Sequence, residues 1–305
     1  DHFFKASDSE DSNAGAYVEG DNATAAGEAA NAIGNGASAI GSGANAIADG
    51  ATAVGYNSLA AGQNSAAFGQ NAQATGPAAV AVGGNAVDEN GDPLITNGGV
   101  PVDTGATSAG VGGTAVGASA QADGFAATAA GVGAFAAGAQ SAAFGAVSNA
   151  VGDYSTAVGT ASFASGTSST AVGEAAEASG EESTAIGGST FFGLINTQAT
   201  GTGSSAFGNG AWGTGEYATA IGWNSWSGGE ESTSLGASAF AQGDQATALG
   251  ANASADGLNS VALGQGSVAD RDNSVSVGSE GSERQITNVA AGTEDTDAVN
   301  KAQLD

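Results

Sequence analysis

The chain contains 305 residues, with 53 glycines, no cysteine and no methionine, and it has 31 acidic but only four basic side chains. The formal net charge of -27 at pH 7 argues against nucleic acid and anionic membranes as partners, because phosphate contacts need Lys and Arg in number. Alanine supplies most of the apolar fraction, so the chain must stack thin layers rather than build a thick core. No apolar run is long enough to cross a membrane and no leader-like segment occurs, so we expect any export signal and membrane anchor to lie outside this stretch.

A motif of Ala, an apolar residue and Gly, or a close variant, recurs at every fourteenth position and predicts a solenoid. We number this glycine position 0 of each repeat, or coil. A second glycine commonly falls halfway, at position +7, as at Gly62, Gly124 and Gly166. Each coil is therefore predicted to contain two short strands, with glycine at both corners where tight bends resist other residues. The position-0 glycines are Gly27, Gly41, Gly55, Gly69 and Gly83, then Gly117, Gly131, Gly145, Gly159, Gly173 and Gly187, then Gly208, Gly222, Gly236, Gly250, Gly264 and Gly278.

Strand side chains alternate between two faces, so the columns of the repeat can be sorted into an inside and an outside. Positions +3 and +5 are small, as in Ala72 and Ala74. The residues two and four before the next glycine are equally small, as in Ser155 and Ala157. These two faces are predicted to meet inside a narrow, flattened roll.

The two outward faces differ from each other. One, the apolar wall, carries the residues one and three before the glycine, as in Thr184 and Ile186 or Val261 and Leu263. The other, the polar wall, carries positions +4 and +6, where Gln73 is typical. An apolar surface along a whole rod exceeds what a soluble monomer exposes, so we expect the apolar wall to contact other chains. About 18 coils at about 4.8 Å each give a rod roughly 90 Å long.

Two insertions interrupt the phase of the repeat, near 84–103 and near 188–201. The first contains the turn signal 88–93, and the second brings in Phe191, Phe192 and Leu194. Both are predicted to project from the roll as loops.

After Gly278 the period stops and a different signature begins, with Arg-Gln-Ile-Thr-Asn-Val-Ala-Ala-Gly-Thr at 284–293 and Asp-Thr-Asp-Ala-Val-Asn at 295–300. This closely resembles the neck of the YadA-like trimeric autotransporter adhesins, where a head meets a coiled-coil stalk. The coil endings at 259–264 and 273–278 and the opening segment 2–6 are also similar to that family's heads.

The resemblance implies an all-β, left-handed parallel β-roll that assembles as a homotrimer. It divides the chain into a head, 1–278, and a neck with the start of a stalk helix, 279–305, for which Asp297 is a plausible N-cap. It places the chain outside the cell at a bacterial outer membrane, with membrane contact only through a C-terminal anchor beyond this stretch. It implies a surface adhesin head that attaches to extracellular matrix proteins, host glycans, abiotic surfaces or other cells. The alternative is a spacer rod that displays another binding domain.

No residue pattern indicates catalysis, a cofactor or a metal. The single histidine, His2, lies in a terminal segment, and the repeated serines have no base beside them. Asp88, Asn90 and Asp92 have the spacing that opens a calcium loop, but Pro93 stands where that loop needs glycine. We therefore predict neither an enzyme nor a metal site.

Aromatic residues occupy position +4 in three successive coils, at Trp212, Trp226 and Phe240, and we call these three the aromatic ladder. They are predicted to stack about 4.8 Å apart, with Trp223 and Tyr217 close by. Exposed rigid rings suit carbohydrate or protein recognition. The alternative is that the loop with Phe191 and Phe192 folds over the ladder and makes a local core.

The segment Asn259-Ser260-Val261-Ala262-Leu263-Gly264 resembles a motif that some family members associate with collagen binding, with Leu263 in place of isoleucine. The column analysis assigns Val261 and Leu263 to the apolar wall. We therefore interpret this segment as structural.

Overall fold

The computed structural model describes residues 14–97, 100–101, 105–190 and 193–304, and these form a two-sided stack of parallel strands. Within the described residues, each of the two sheets of the roll contains 17 strands. The sheet of the apolar wall consists of Thr24–Ala26, Ser38–Ile40, Thr52–Val54, Ala66–Phe68, Val80–Val82, Thr114–Val116, Thr128–Ala130, Ala142–Phe144, Thr156–Val158, Thr170–Val172, Thr184–Ile186, Ser205–Phe207, Thr219–Ile221, Thr233–Leu235, Thr247–Leu249, Val261–Leu263 and Val275–Ser276. The sheet of the polar wall consists of Tyr17–Val18, Asn31–Ala32, Asn45–Ala46, Leu59–Ala60, Gln73–Ala74, Ser108–Ala109, Gln121–Ala122, Phe135–Ala136, Asn149–Ala150, Phe163–Ala164, Glu177–Ala178, Gln198–Ala199, Trp212–Gly213, Trp226–Ser227, Phe240–Ala241, Ser254–Ala255 and Val268–Ala269.

Every coil pairs with the next in the same parallel register, which confirms the repeat found in the sequence. Thr156 lies opposite Thr170, and Asn45 lies opposite Leu59, in each case the equivalent residue of the next coil. Backbone hydrogen bonds of 2.8–2.9 Å join these strands, for example from the Asn45 amide to the Ser58 carbonyl oxygen. The chain is therefore an all-β parallel solenoid whose strands run across the rod.

The interior consists of the small columns, as the sequence predicted. Alanines of the inward positions are buried throughout the roll, and the largest fully buried side chains are two threonines, Thr107 and Thr197, followed by serines. Side chains this small bury little apolar area each, so backbone hydrogen bonds between coils carry a large share of the cohesion. The two sheets approach closely because the buried side chains of the described coils are no larger than threonine.

Two serines at the same buried position, four residues before a position-0 glycine, differ in their hydrogen bonds. The Ser155 hydroxyl has no partner, whereas the Ser183 hydroxyl donates to the Gly180 carbonyl oxygen at 2.7 Å. We expect Ser155→Ala to be neutral or to stabilise the roll by up to about 1 kcal/mol, because it removes a buried unpaired polar group. We expect Ser183→Ala to destabilise it by about 1 kcal/mol. Thermal unfolding of the two variants checks this pair, and equal shifts would contradict it.

Glycine does not have the same role at the two corners of a coil, contrary to the expectation that both need it for a tight bend. The position-0 glycines from Gly27 to Gly264 have φ between +110° and +150°, a conformation that other residues rarely adopt. The halfway glycines have ordinary φ, but a Cβ on Gly166 would lie 2.0 Å from the Gly180 carbonyl oxygen. Ala48 and Arg271 nevertheless occupy this halfway position in two coils, so the spacing there can adjust.

The tight bends themselves fall on other positions, +2 and +9, which adopt the left-handed helical conformation mostly without glycine. These residues include Ala126 (φ +54°), Tyr217 (φ +54°) and Asn259 (φ +50°). Asparagine tolerates this conformation well, whereas alanine and tyrosine do so at a cost. The fold therefore holds some strain at its corners that hydrogen bonds to both neighbouring coils offset.

Both insertions leave the stack of coils continuous. Around the first, Val80–Val82 pairs directly with Thr114–Val116, and the excursion forms a short hairpin of Thr96–Asn97 with Val100–Pro101. A buried threonine follows each insertion where other coils have Ala or Ser. Thr107 donates its hydroxyl to the carbonyl oxygens of Gly84 (3.0 Å) and Gly117 (2.7 Å). Thr197 does the same at Gly188 (2.9 Å) and Gly208 (2.8 Å), so these hydroxyls tie the ends of the insertions to the roll.

The segment after Gly278 attaches to the last coils through Arg284. Its guanidinium donates to the Ser267 hydroxyl (2.8 Å), to the Val277 carbonyl oxygen (2.7 Å) and to the carbonyl oxygen of Gln265. The guanidinium therefore fixes the start of this segment against the end of the roll.

The prediction of Asp297 as a helix N-cap is wrong. Its carboxylate accepts hydrogen bonds from the preceding amides of Thr293 (2.9 Å) and Glu294 (3.1 Å), and these bonds lower its pKa. The described helical turn is a single 3-10 segment, Lys301–Gln303, preceded by Asn300. The Asn300 amide donates to Gln303 Oε1 at 3.2 Å, so the helical turn begins three residues later than expected.

Candidate binding surface

The two walls lie on opposite faces of the roll, and the apolar wall remains partly open to solvent. Residues directly before the position-0 glycine are 36–46% exposed in most coils, for example Ile221, Leu235, Leu249 and Leu263. Their neighbours in the next coil are again apolar, since Leu235 lies opposite Leu249. Within the described residues, one chain alone thus exposes a long apolar surface, which is unusual for a soluble monomer.

The aromatic ladder is present on the polar wall in the predicted register. Trp212 lies opposite Trp226, and Trp226 opposite Phe240. The rings do not stack in parallel, however. Their planes meet at 77° and 78°, with centroids 6.4 and 4.5 Å apart, because edge-to-face packing suits the ring quadrupoles better than a face-to-face sandwich. All three side chains are half-buried, so part of each ring faces solvent.

Both indole N–H groups of the ladder find partners within the chain. Trp212 Nε1 donates to the Asn196 carbonyl oxygen at 2.8 Å, and Trp226 Nε1 donates to Thr214 Oγ1 at 2.9 Å. The Asn196 side-chain Nδ2 also donates to the Ala175 carbonyl oxygen, at 3.0 Å. The end of the second insertion therefore holds Trp212 in place, which leaves the ladder as a rigid surface.

A glycine next to Trp226 sets the position of its indole. A Cβ on Gly228 would lie 3.2 Å from Trp226 Nε1 and 3.3 Å from its Cε2. Gly228 occupies position +6, so the indole extends from its own column across the +6 column toward the second corner of the coil. The ring thus covers polar-wall backbone rather than pointing straight into solvent.

The other residues of the predicted site are spread more widely. Tyr217 is 59% exposed on the second corner and Trp223 is 47% exposed on the first, so the two flank the wall from opposite edges. Phe191 and Phe192 lie outside the described residues. Phe135 and Phe163 are two further aromatic residues of the same column. Asn149 lies between them, so they do not form a run in successive coils that the sequence pattern would reveal.

The segment 259–264 contributes to three different parts of a coil. Val261 and Leu263 lie on the apolar wall, and Ser260 and Ala262 are buried inside the roll. Asn259 and Gly264 lie at the two corners, and the Asn259 side-chain amide donates to Asn273 Oδ1 at 3.0 Å.

Asp88, which opens the calcium-like spacing, lies in a turn that its own side chain closes with hydrogen bonds. The Asp88 carboxylate accepts hydrogen bonds from the backbone amides of Asp92 (2.9 Å) and Asn90 (2.8 Å), which lower the pKa of Asp88. Among the described residues, no group of three or more His, Cys, Asp or Glu side chains is arranged to hold a metal ion. Within the same part of the chain, no helix has the length and apolar character needed to cross a membrane.

The fold and the surface together define a β-roll rod that presents side chains along its outer wall, and comparisons with known proteins identify the family. A sequence model described as the YadA head domain repeat matches 19–44, 32–58, 60–86, 136–162, 164–190, 199–225, 227–253 and 255–280. A second model, the coiled stalk of trimeric autotransporter adhesins, matches 285–305. The chain belongs to the YadA-like trimeric autotransporter adhesins, and it is an adhesin head with the beginning of the stalk region.

One solved structure with significant similarity is the collagen-binding domain of the Yersinia adhesin YadA. It is 35% identical, the match covers 56% of this chain and 83% of that one, and the TM-score is 0.40. No curated protein sequence matches the chain.

Proposed function

We propose that this head binds a host or environmental ligand through its polar wall, with the aromatic ladder as the contact surface. The ligand class comprises extracellular matrix proteins, collagen among them, glycans, abiotic surfaces and other cells. One observation carries the proposal: three half-exposed aromatic rings lie in register, with both indole N–H groups already satisfied. A surface fixed in this way loses little conformational entropy on binding.

We further infer that the chain acts as a homotrimer at the bacterial outer membrane, with this stretch outside the cell. The exposed apolar wall supports the assembly, since three copies can cover these walls against one another and leave the polar walls outside. The head ends near 278, and 279–305 forms the neck and the start of the stalk. An anchor outside this chain would supply the membrane contact.

Glycan and matrix-protein arrays probed with the wild-type head and with Trp212→Ala/Trp226→Ala test the binding surface. We expect the double variant to lose at least about tenfold in affinity, because central aromatic side chains dominate binding energy. Phe135→Ala is the matched control, since it removes a ring from the same column outside the ladder.

Array binding that both variants retain, with a lowered unfolding temperature for the double variant, would show that the ladder only packs. A wild-type head that binds nothing on the arrays would support the spacer alternative instead.

A further inference from the structure

The aromatic ladder is bordered by carboxylates that have no basic residue near them in the chain. The four basic residues are Lys5, Arg271, Arg284 and Lys301, so residues 6–270 contain neither lysine nor arginine. Away from the last coils, where Arg271 lies, the acidic side chains of this long stretch therefore cannot be neutralised by ion pairs between adjacent coils. Their negative potential adds up along the rod and attracts cations.

Three of these carboxylates follow the three ladder residues, one in each successive coil. Glu216, Glu230 and Asp244 lie at position +8, four residues after Trp212, Trp226 and Phe240, and all three are exposed. Asp244 uses one oxygen to accept the Glu230 amide at 3.0 Å. The corner beside the ladder is thus lined by acidic groups about one coil apart.

The position of the Trp226 indole connects the rings to these acids. The ring lies over Gly228 and donates to Thr214, and each of these residues precedes a position-8 glutamate by two residues. The indole therefore extends toward the corner that carries Glu216 and Glu230. An aromatic surface and a row of carboxylates form one continuous strip along the edge of the polar wall.

We propose that this strip docks an arginine-rich polypeptide segment. A guanidinium is planar and weakly hydrated, so it can stack on an aromatic ring while it donates hydrogen bonds to a neighbouring carboxylate. A lysine ammonium supplies the charge but not the stacking plane, and a neutral glycan makes no use of the row of charges. This inference rests on the proposed function, because it assigns a ligand chemistry to the same surface.

Fluorescence titration of the wild-type head with a nona-arginine peptide and with a nona-lysine peptide tests the inference. We expect tighter binding of the arginine peptide, and about tenfold weaker binding after Glu216→Gln/Glu230→Gln, which keeps the rings and removes two charges. The matched control is Asp49→Asn/Asp272→Asn. It removes two charges at the same coil position, beside Asn45 and Val268 instead of aromatic residues. Asparagine keeps the Oδ1 acceptors that bind the Asn35 amide (2.8 Å) and the Leu258 amide (2.9 Å).

An equal loss in the control variant would overturn the inference, since it would reflect only the overall charge of the rod. Equal affinity for the two peptides would also overturn it, because the rings would then contribute nothing. A glutamate variant that keeps full array binding while Trp212→Ala/Trp226→Ala loses it would leave the proposed function standing and refute the arginine ligand. Circular dichroism of each variant checks that the roll is intact.

Discussion

Gly159→Ala is expected to destabilise the roll by about 3–5 kcal/mol. Gly159 has φ +125°, which other residues avoid, and an added Cβ would lie 2.5 Å from the Gly173 carbonyl oxygen. The substitution therefore combines backbone strain with a collision against the next coil. Thermal unfolding and amide hydrogen exchange of the neighbouring coils would measure the loss.

The matched control for this variant is Gly36→Ala. Gly36 has φ +66° with open space around its Cβ, and Ala126 occupies the same coil position at φ +54°. We expect a cost of about 1 kcal/mol or less. Similar costs for the two variants would contradict the distinction between the two kinds of corner glycine.

Leu235→Asp/Leu249→Asp is expected to convert the trimer into folded monomers. These two leucines are 43% and 38% exposed on the apolar wall of one chain and lie opposite each other in adjacent coils. Each unpaired carboxylate buried between chains costs several kcal/mol, and the trimer would contain six of them. The interior lies on the other side of the sheet, so each roll should stay intact. Sedimentation velocity reports the change in mass.

The control adds the same charge to the other face. Gln73→Asp/Gln242→Asp places two carboxylates on the polar wall, and we expect the trimer to persist. A wild-type head that sediments as a monomer, or an aspartate variant that remains trimeric, would show that the apolar wall is not the contact between chains.

The repeat was readable from the sequence because the inward columns have nearly the same environment in all described coils. The strict period determined the register, and the small residues at +3 and +5 identified the interior from the sequence alone. Both conclusions hold in the structure, for example at Ala72 and Ala74. Solenoids favour this inference, since each coil contacts only its neighbours.

The bends and the helical start were not predictable in the same way. Ala126 and Tyr217 have left-handed φ, and each donates its backbone amide to the preceding coil, at 2.9 Å and 2.8 Å. No local preference of these residue types indicates this conformation. The hydrogen bonds of Thr107 and Thr197 beside the two insertions were also not predicted. These two residues are the only threonines in that inward column among the described coils, which is a signal that the sequence does contain. Asp297 was expected to cap a helix that follows it. Its carboxylate instead accepts a hydrogen bond from the backbone amide of Thr293, four residues earlier in the chain.

For the candidate site, the sequence predicted the order of the rings but not their tilt. Strand register follows from the spacing of the repeat, so the pairing of Trp212, Trp226 and Phe240 could be predicted. The edge-to-face angles depend on the space above Gly228 and on the bond to Thr214, and the spacing of the repeat encodes neither. The polar wall is also less uniform than expected, since Leu59 and Phe163 share its central column.

The identical register of successive coils has a consequence for how such a gene can change. Removal or duplication of a one-coil segment within an uninterrupted block, such as that from Gly117 to Gly187, joins strands whose hydrogen bonds and buried side chains match those already present. Unequal recombination can therefore lengthen or shorten the rod in whole coils without any compensating mutation. The reach of the adhesin from the cell is then free to vary while its architecture stays constant.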